Sequence, residues 1–382
     1  MIKQLLLAPG PSPVPARVRL AMAQPMFHHR TPQFSALFAE VREGLRKLYQ
    51  TGEDVLMLAS SGTGAMEAAV GNCFAPGDEV VVVNGGKFGE RWLKLSNAFG
   101  LKPIEIRVEW GRAVRGDQVS QALDEHPQAR GVLVQASETS TAAVHPIDQL
   151  AEVTRERDAL LVVDGITAVG VYEIPMDRWG VDVLITGSQK ALMLPPGLAM
   201  IALSKRAWSR VEKTTQPRFY FDLLRERANQ AKNTTAYTPA ISLIIGLREA
   251  LAMMQEEGFA NVFARHARMA RATRSAAEAL GLRLVAPDNP SPAVTGVYVP
   301  PSVDGGKMFA YLRDQMRVVF AGGQDHLKGK IIRIAHLGYM GAFDVVTAIA
   351  AFEMALHHFG HPVELGRGVG AAEAELLTAL PA

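Results

Sequence analysis

The chain has 382 residues, of which 48% are hydrophobic and 20% charged, and its formal net charge is +2. This is the composition of an ordinary globular protein with enough apolar residues for one large core and one smaller one. It provides no strong field to recruit nucleic acid or an anionic membrane, and we expect neither as a partner. The single cysteine, Cys73, excludes an internal disulfide and a multi-cysteine metal site. A reducing compartment, the cytoplasm, is the simplest location for such a chain.

The N-terminal segment, residues 1–20, is predicted to be an arm, extended over its first fifteen residues because these are rich in Pro and Gly. Its apolar run is broken at Pro9 and Gly10, which leaves it too short for a signal peptide or a membrane span. Apolar residues then recur at helical spacing from Pro32 to about Gln50, which predicts the first long helix.

Beyond this helix, short apolar runs alternate with amphipathic stretches. Seven runs, most of them rich in Val, Leu and Ile, are predicted strands: Val55–Ala59, Glu79–Asn84, Ile104–Val108, Gly131–Gln135, Ala159–Asp164, Asp182–Thr186 and Leu198–Leu203. Four stretches between them are predicted helices: Gly64–Phe74, Phe88–Phe99, Asp117–Glu125 and Ile147–Arg157. Since most of the runs lack polar alternation and are separated by helices, they indicate a mainly parallel sheet covered on both faces. Ligands bind such sheets at the carboxyl ends of the strands.

The C-terminal part continues with two helical patterns, from Ser242 to about Gln255 and from Asn261 to Leu280, and Gly281 ends the second. The elements predicted after it are strands at Thr295–Val299, Val318–Phe320 and Lys330–His336, a helix from Phe343 to about Phe359 and a short helix over Ala371–Leu380. We therefore predict an α/β fold with a large domain over residues 21–260, built on a mainly parallel seven-stranded sheet. A smaller C-terminal α+β domain is predicted over residues 261–382, with the N-terminal segment as a candidate contributor to it.

A Gly-rich turn, Ser60-Ser-Gly-Thr-Gly64, lies between a predicted strand and a predicted helix. Free N–H groups and the positive dipole end of a helix suit a phosphate at such a junction, and glycine lets the backbone approach the anion. A capped helix start explains the motif equally well. A dinucleotide site is disfavoured, because Glu67 stands at the third small position of that fingerprint and Asn84 stands where an acid would bind the ribose.

Two charged residues follow predicted strands. Asp164 ends a buried apolar run, where it either caps the next turn or faces a cationic ring nitrogen. Lys190 lies between a strand and an apolar run, where partial desolvation lowers the pKa of an amine and makes it nucleophilic. Taken singly, each residue has an ordinary structural explanation. Together with the Gly-rich turn they match what a pyridine-ring cofactor requires: a phosphate anchor, a partner for the ring nitrogen and an amine for a Schiff base.

Arg333 stands inside the predicted strand Lys330–His336. A buried guanidinium requires an anion, and its planar fork suits a carboxylate. The sequence leaves open whether that carboxylate belongs to an internal Asp or Glu or to a substrate.

At these residues the sequence resembles the class V aminotransferases, which are fold type I pyridoxal-phosphate enzymes. Within that family it is most similar to the alanine–glyoxylate and serine–glyoxylate (or serine–pyruvate) branch. The resemblance runs from about Leu6 to Phe359, and its most specific stretch is Gly187-Ser-Gln-Lys-Ala-Leu-Met-Leu-Pro-Pro-Gly197. Further specific stretches are Ser61–Gly64, Val162–Asp164, Pro239–Leu251 and Arg333–Gly338.

The resemblance implies a role for each matching residue. The implied cofactor-binding residues are Ser61, Gly62, Thr63, Phe88, Thr139, Asp164, Ile166, Gln189 and Lys190, with Thr235, Tyr237 or Thr238 reaching the phosphate of the neighbouring subunit. Lys190 would carry pyridoxal 5'-phosphate as a Schiff base, and Asp164 would pair with the ring nitrogen. Phe88 stands where many members have tryptophan, which implies a weaker stacking partner for the ring. Arg333 would bind the substrate carboxylate.

The activity implied by the resemblance is transfer of an amino group between small amino acids, such as alanine or serine, and glyoxylate or pyruvate, by a ping-pong mechanism in a homodimer with shared active sites. No metal is implied. Arg333 explains only one carboxylate, so a dicarboxylate donor such as aspartate would need a second cation, for which Arg30 is the candidate. Aminoethylphosphonate is another candidate for the amino donor. No role is assigned to His28 and His29.

Two rival functions share the fold. A lyase such as a cysteine desulfurase needs a catalytic cysteine on a loop, whereas Cys73 lies on the apolar stripe of a predicted helix. A non-catalytic subunit is disfavoured by the intact pair of Lys190 and Asp164.

Overall fold

Strands and helices alternate along the described residues, 4–378, of this computed structural model. The strands are β1 Leu5–Leu6, β2 Val55–Leu58, β3 Glu79–Asn84, β4 Lys102–Arg107, β5 Gly131–Gln135, β6 Ser137–Glu138, β7 Ala143–Val144, β8 Leu160–Asp164, β9 Val183–Gly187, β10 Ala199–Leu203, β11 Val294–Tyr298, β12 Val318–Val319, β13 Ala321–Gly322 and β14 Ile331–Ala335. The α-helices are α1 Ala16–Met22, α2 Pro32–Tyr49, α3 Gly62–Cys73, α4 Lys87–Ala98, α5 Gly116–Glu125, α6 Ile147–Arg155, α7 Met176–Trp179, α8 Lys205–Val211, α9 Leu223–Gln230, α10 Ile241–Glu257, α11 Phe259–Ala279, α12 Gly305–Asp314, α13 Ala342–His358 and α14 Arg367–Leu377.

One seven-stranded sheet, in the order β2-β10-β9-β8-β5-β3-β4, organises the first half of the chain. All seven predicted strands form close to their predicted bounds. Neighbouring strands are parallel except at β10, which runs antiparallel to both β2 and β9. Every residue of β2, β5, β8, β9 and β10 is buried. The prediction of a mainly parallel sheet covered on both faces is therefore confirmed.

The three largest apolar cores of the described residues fall into two groups. The cores on the two faces of the large sheet include apolar residues as far along the chain as Val262. A further core runs from Met269 to Leu376, joined by Leu7 of the N-terminal arm, and packs α11 and α13 against the three-stranded sheet β11-β14-β13. These cores support our proposal that the large domain ends near residue 260 and that a smaller α+β domain follows.

The N-terminal arm is built into the fold rather than free. β1 pairs in parallel with β12, through Leu5 with Val318 and Leu6 with Val319. The helix α1 then lies against α10, where Arg17 pairs with Glu249 at 2.6 Å. The sequence pattern does not predict α1, because Val18 is its one buried residue and leaves no apolar stripe.

The C-terminal helix α14 begins earlier than predicted, at Arg367. The buried carboxylate of Glu353 accepts hydrogen bonds from the backbone N–H groups of Gly366, Gly368 and Val369, at 2.8, 2.6 and 3.1 Å. This capping group lies on α13, so the local sequence gives no sign of it. The end of the predicted helix, residues 379–380, lies outside the described residues. Among the described helices, none is long and apolar enough to cross a membrane.

Candidate active site

Four of the predicted site residues lie at the carboxyl edge of the large sheet. Asp164 ends β8, Lys190 lies shortly after β9, Ser61 precedes α3 just after β2, and Thr139 follows β6, a few residues beyond the end of β5. The strands β2, β5, β8 and β9 run in the same direction, so their C-terminal loops open on the same edge.

The amine of Lys190 lies against the N-terminal arm. Its Nζ donates a hydrogen bond to the carbonyl oxygen of Pro9. The Ser12 hydroxyl in turn donates to the carbonyl oxygen of Lys190 at 2.7 Å. A Cβ on Gly10 would lie 2.4 Å from Nζ, so glycine leaves the room that the amine occupies. Burial, followed by the positive charge of Arg333, lowers the pKa of Lys190 to about 8.

Asp164 is buried, with 4% of its surface exposed. Its Oδ1 accepts a hydrogen bond from the backbone N–H of Ile166 at 2.8 Å, so one oxygen does cap the turn, as the structural explanation expected. Its Oδ2 has no hydrogen-bond partner among the described residues. Burial raises the pKa of Asp164 to about 6, and the negative charge of Glu138 adds to that effect. The free oxygen of a buried carboxylate is well suited to pair with a cation.

The Gly-rich turn forms the uncapped start of α3. Ser61 stands at the N-cap position, but its side chain makes no capping hydrogen bond. Among the residues that the structure describes, the backbone N–H groups of Gly62 and Thr63 find no acceptor. A Cβ on Gly62 would lie 2.4 Å from Cδ1 of Ile166, which packs directly against the turn. The turn therefore offers two free N–H groups at the positive end of a helix, the arrangement that binds anions.

Gln189 lies beside this turn. Its Oε1 is buried and has no partner within the described part of the chain. A Cβ on Gly187 would lie 3.1 Å from that Oε1 and 3.6 Å from the backbone nitrogen of Gly62. The Gln189 amide is thus close to the uncapped start of α3, and its Oε1 is not bonded to any described residue.

Helix α4 brings two side chains to the same place. Phe88, the predicted stacking residue, is half-buried in the first turn of the helix. Arg91 was not predicted: its guanidinium carbon lies 4.8 Å from the centroid of the Phe88 ring, and its Nη1 donates to the Thr63 hydroxyl at 3.1 Å. The sequence does place Arg91 nearly one helical turn after Phe88, on the same face, which could have identified it.

The start of α4 is held by Glu138, a fully buried residue that sequence analysis missed. Its Oε2 accepts hydrogen bonds from the backbone N–H groups of Phe88 and Gly89, both at 3.0 Å, and its Oε1 accepts one from Ser140 N–H at 3.1 Å. Burial raises the pKa of Glu138, and these hydrogen bonds oppose the rise. The N-cap residue of α4 is Gly86, which has no side chain that could accept these hydrogen bonds.

Arg333 reaches from β14 to the loop that follows β5. Its Nη1 donates to the carbonyl oxygen of Thr139 at 2.8 Å, and its Nε donates to that of Gly322 at 2.9 Å. It is 8% exposed, and burial lowers its pKa to about 10, while the charge of Glu138 opposes this. Within the described residues Arg333 forms no ion pair, so the internal-salt-bridge explanation finds no partner. The Thr139 hydroxyl hydrogen-bonds to that of Thr167 at 2.6 Å.

The hydroxyl-rich segment 233–239 lies beside β2, with Thr235 buried and Thr238 exposed. Thr235 donates to the carbonyl oxygen of Tyr237 at 2.6 Å, and the Tyr237 hydroxyl donates to that of Phe219 at 2.8 Å. The Tyr237 ring stacks on Tyr220 with centroids 5.3 Å apart. Within the described chain the Thr238 hydroxyl has no partner, which makes it the one of the three predicted residues that is free to bind elsewhere.

The stretch His28-His-Arg30, in which His28 and Arg30 are exposed and His29 is half-buried, is attached to the same segment. Arg30 Nη1 donates to the Thr234 hydroxyl at 2.5 Å, and the rings of His28 and His29 lie 4.6 Å apart. Arg30 is therefore linked to segment 233–239.

The cysteine that a desulfurase would require is not reactive here. Cys73 is buried at the end of α3, and burial raises its pKa to about 12. A thiol in that environment is neutral at physiological pH and is not a nucleophile.

Comparison with known proteins identifies the family. The model of the family described as aminotransferase class-V matches residues 7–336. The chain belongs to the class V aminotransferases. A protein named soluble hydrogenase, small subunit, from Synechococcus sp. is 42% identical to this aminotransferase over 99% of both chains. The L-aspartate–glyoxylate aminotransferase of Paracoccus denitrificans is 36% identical over 96% of this chain and 95% of its own. The crystal structure of an alanine–glyoxylate aminotransferase from Nostoc sp. matches with a TM-score of 0.88 and 32% identity, over 93% of this chain and 96% of its own.

These likenesses confirm the predicted fold type I architecture and a pyridoxal-phosphate-dependent aminotransferase. The names of these relatives give different amino donors, aspartate in one and alanine in the other. The relatives therefore support the family but do not identify one donor.

The side chains of this aminotransferase fit the cofactor that the family implies. The turn at Gly62 presents two unpaired N–H groups for a phosphate, and the Gln189 amide adjoins it without a partner in the described residues. Asp164 keeps one carboxylate oxygen for a ring nitrogen, and Lys190 supplies a half-buried amine whose pKa is about 8. Phosphate, ring nitrogen and aldehyde each meet a group of matching chemistry.

Proposed function

We propose that this aminotransferase moves the amino group of alanine or serine to glyoxylate or pyruvate, in two half-reactions that follow ping-pong kinetics. The observation that carries the proposal is Arg333. Its guanidinium is buried, two of its nitrogens bond backbone carbonyls, and it has no carboxylate partner among the described residues. A group of this kind takes up one carboxylate, which every small amino acid and 2-oxo acid carries.

The cofactor would be pyridoxal 5'-phosphate, held by the residues at the carboxyl edge of the sheet. Its phosphate would accept hydrogen bonds from the turn of Ser61, Gly62 and Thr63 and from Gln189. Phe88 and Ile166 would enclose the ring, Thr139 would bind the ring oxygen, and Lys190 would form the Schiff base. The support for this assignment is the unpaired state of the N–H groups at the start of α3 and of the Gln189 amide, among the described residues.

The bound cofactor supplies an electron sink that stabilises negative charge at the substrate Cα. The protein must hold the substrate and move protons. Arg333 holds the carboxylate, and Lys190 Nζ removes the proton from Cα and returns it, for which a pKa of about 8 is close to the operating pH. Asp164 holds the proton at the ring nitrogen, because a buried carboxylate with a free oxygen favours a charged partner.

Aspartate is the alternative donor, and the name of the Paracoccus denitrificans relative favours it. A dicarboxylate needs a second cation besides Arg333. Arg30 is exposed and bonded to Thr234, so it would serve the active site that segment 233–239 enters. Aminoethylphosphonate would also need a cation at the site, to bind its phosphonate group.

We also propose a homodimer with shared active sites, in the cytoplasm. Phe219 is 73% exposed and Tyr220 48% exposed, and both lie beside segment 233–239. A large aromatic surface next to the unpaired Thr238 hydroxyl suits an interface through which the segment reaches the partner's phosphate site. The single buried thiol agrees with a reducing compartment.

The test begins with the absorbance spectrum of the purified protein and continues with a panel of alanine, serine, aspartate and aminoethylphosphonate against glyoxylate and pyruvate. We expect a visible band, and the fastest turnover with alanine or serine. Lys190→Ala should remove the absorbance band of the protonated Schiff base and the turnover, while the thermal unfolding profile persists. A Lys190→Ala variant that keeps wild-type turnover would contradict the assignment of Lys190. A clear preference of the wild type for aspartate would contradict alanine or serine as the donor.

The homodimer is tested separately, by sedimentation of apo and holo protein over a dilution series. Cofactor should shift the equilibrium towards the dimer, because a site shared by two chains binds cofactor better when both are present. The triple variant Thr235→Ala, Tyr237→Phe, Thr238→Ala should bind cofactor more weakly. A fully active holo monomer, or unchanged cofactor affinity in the triple variant, overturns the shared site.

A further inference from the structure

Two arginines near the proposed site lack a carboxylate partner within the described residues, and the proposed function uses only Arg333. The other is Arg91, on α4. Its side chain is half-buried, donates to the Thr63 hydroxyl at 3.1 Å and lies with its guanidinium carbon 4.8 Å from the Phe88 ring centroid. Burial raises the pKa of Asp164 and the positive charge of Arg91 opposes that rise, but no ion pair joins Arg91 to a described carboxylate. A guanidinium held in place by a hydroxyl and an aromatic ring, with no carboxylate in contact, is a binding group for an anion that comes from outside.

The position of Arg91 indicates which anion this is. Its hydrogen-bond partner, Thr63, also carries one of the two unpaired backbone N–H groups at the start of α3. A hydroxyl has one proton to donate, and by accepting from Arg91 the Thr63 hydroxyl keeps that proton for another acceptor. Three kinds of donor therefore converge at Thr63: backbone N–H groups, a hydroxyl and a guanidinium. A phosphate dianion, with several acceptor oxygens, matches this set better than a single carboxylate does.

We propose that Arg91 binds the cofactor phosphate, both directly through its charge and by orienting the Thr63 hydroxyl. This inference rests on the proposed function, since it takes the start of α3 as the phosphate site. It adds to that site the cation that a dianion requires. The two arginines would then bind different anions. Arg91 would bind the cofactor phosphate, and Arg333, which is hydrogen-bonded to Thr139, would bind the substrate carboxylate.

The test compares pyridoxal 5'-phosphate with pyridoxal, which has the same ring and aldehyde but no phosphate. Each is titrated into apo wild type and into apo Arg91→Ala, Arg91→Lys and Lys94→Ala proteins, and binding is followed by absorbance. Lys94 lies on the same helix and is mostly exposed, so Lys94→Ala is a control with the same loss of charge. Inorganic phosphate is added as a competitor.

We expect Arg91→Ala to weaken pyridoxal 5'-phosphate binding by about 10- to 100-fold, the range for losing charge-assisted hydrogen bonds, and to leave pyridoxal binding within about twofold. Arg91→Lys should fall between, because lysine keeps the charge and loses the fork. Inorganic phosphate should compete less well in the alanine variant. Lys94→Ala should resemble wild type.

Equal weakening of both ligands overturns the inference in favour of a packing role for Arg91 against Phe88. Unchanged affinity for both also overturns it. A raised KM for aspartate with intact cofactor affinity would instead make Arg91 the receptor of a distal carboxylate. Absence of any visible band in wild type with cofactor would be a failure of the proposed function, and it would be seen before any variant is compared.

Discussion

The titration of Lys190 tests the electrostatics of the whole site. Its pKa is about 8, against about 10.5 for an unperturbed lysine. At pH 7 about 9% of such an amine is neutral, compared with about 0.03% of an ordinary one, a difference of roughly 300-fold in the reactive form. Burial is the largest cause, and the positive charge of Arg333 is the next.

Two substitutions should move this pKa in opposite directions. Arg333→Gln removes a cation that disfavours the protonated amine, so the pKa should rise. Asp164→Asn removes an anion that favours it, so the pKa should fall. Burial acts in all three proteins, so the midpoint should stay below that of a free lysine in each.

The assay is competitive acetylation of the apoprotein over pH 6 to about 10.5. The extent of modification at Lys190 is read by mass spectrometry of the digested protein, with a lysine peptide in the same reaction as reference. A wild-type midpoint indistinguishable from the peptide's would refute the claim that the site desolvates this amine. Shifts of both variants in the same direction would refute the assignment of the charges that surround it.

Three further outcomes are expected. Asp164→Asn should keep its cofactor and lose about tenfold or more in kcat, because a charge-assisted pair is worth about 2–3 kcal/mol; steady-state kinetics checks this, and unchanged turnover would count against a partner for the ring nitrogen. Arg333→Lys should raise the KM of every amino and oxo acid, whereas a change in Tm with KM untouched would favour a structural role. His266 is fully buried, and burial lowers its pKa to about 3. As the pH falls, His266 is therefore protonated in the unfolded chain before it is protonated in the folded protein. The free energy of unfolding consequently decreases as the pH falls below about 6.5. Between pH 7 and 4.5, wild type should lose about 2–3 kcal/mol more free energy of unfolding than His266→Gln does, and parallel urea curves for the two proteins would contradict this.

Much of the fold could be predicted because its signals are local. A strand covered on both faces must be apolar at nearly every position, so runs such as Leu160–Asp164 stand out from the amphipathic stretches between them. The reversal of β10 was not predictable in this way. Its residues are buried like those of its parallel neighbours, and direction depends on how the chain crosses the sheet, which composition does not record.

The sequence predicts which chemical groups stand at the ends of the strands: the amine of Lys190, the carboxylate of Asp164 and the Gly-rich turn before α3. It can do so because loops that follow parallel strands share one edge of the sheet. The surroundings of those groups depend on contacts between distant parts of the chain. The carbonyl oxygen of Pro9, 181 residues before Lys190 in the chain, accepts the hydrogen bond of the Lys190 amine. Glu138 caps a helix to which it is not adjacent in sequence. Such contacts depend on the geometry of the folded chain, and it is that geometry, through burial and neighbouring charge, that sets the pKa values on which the chemistry depends.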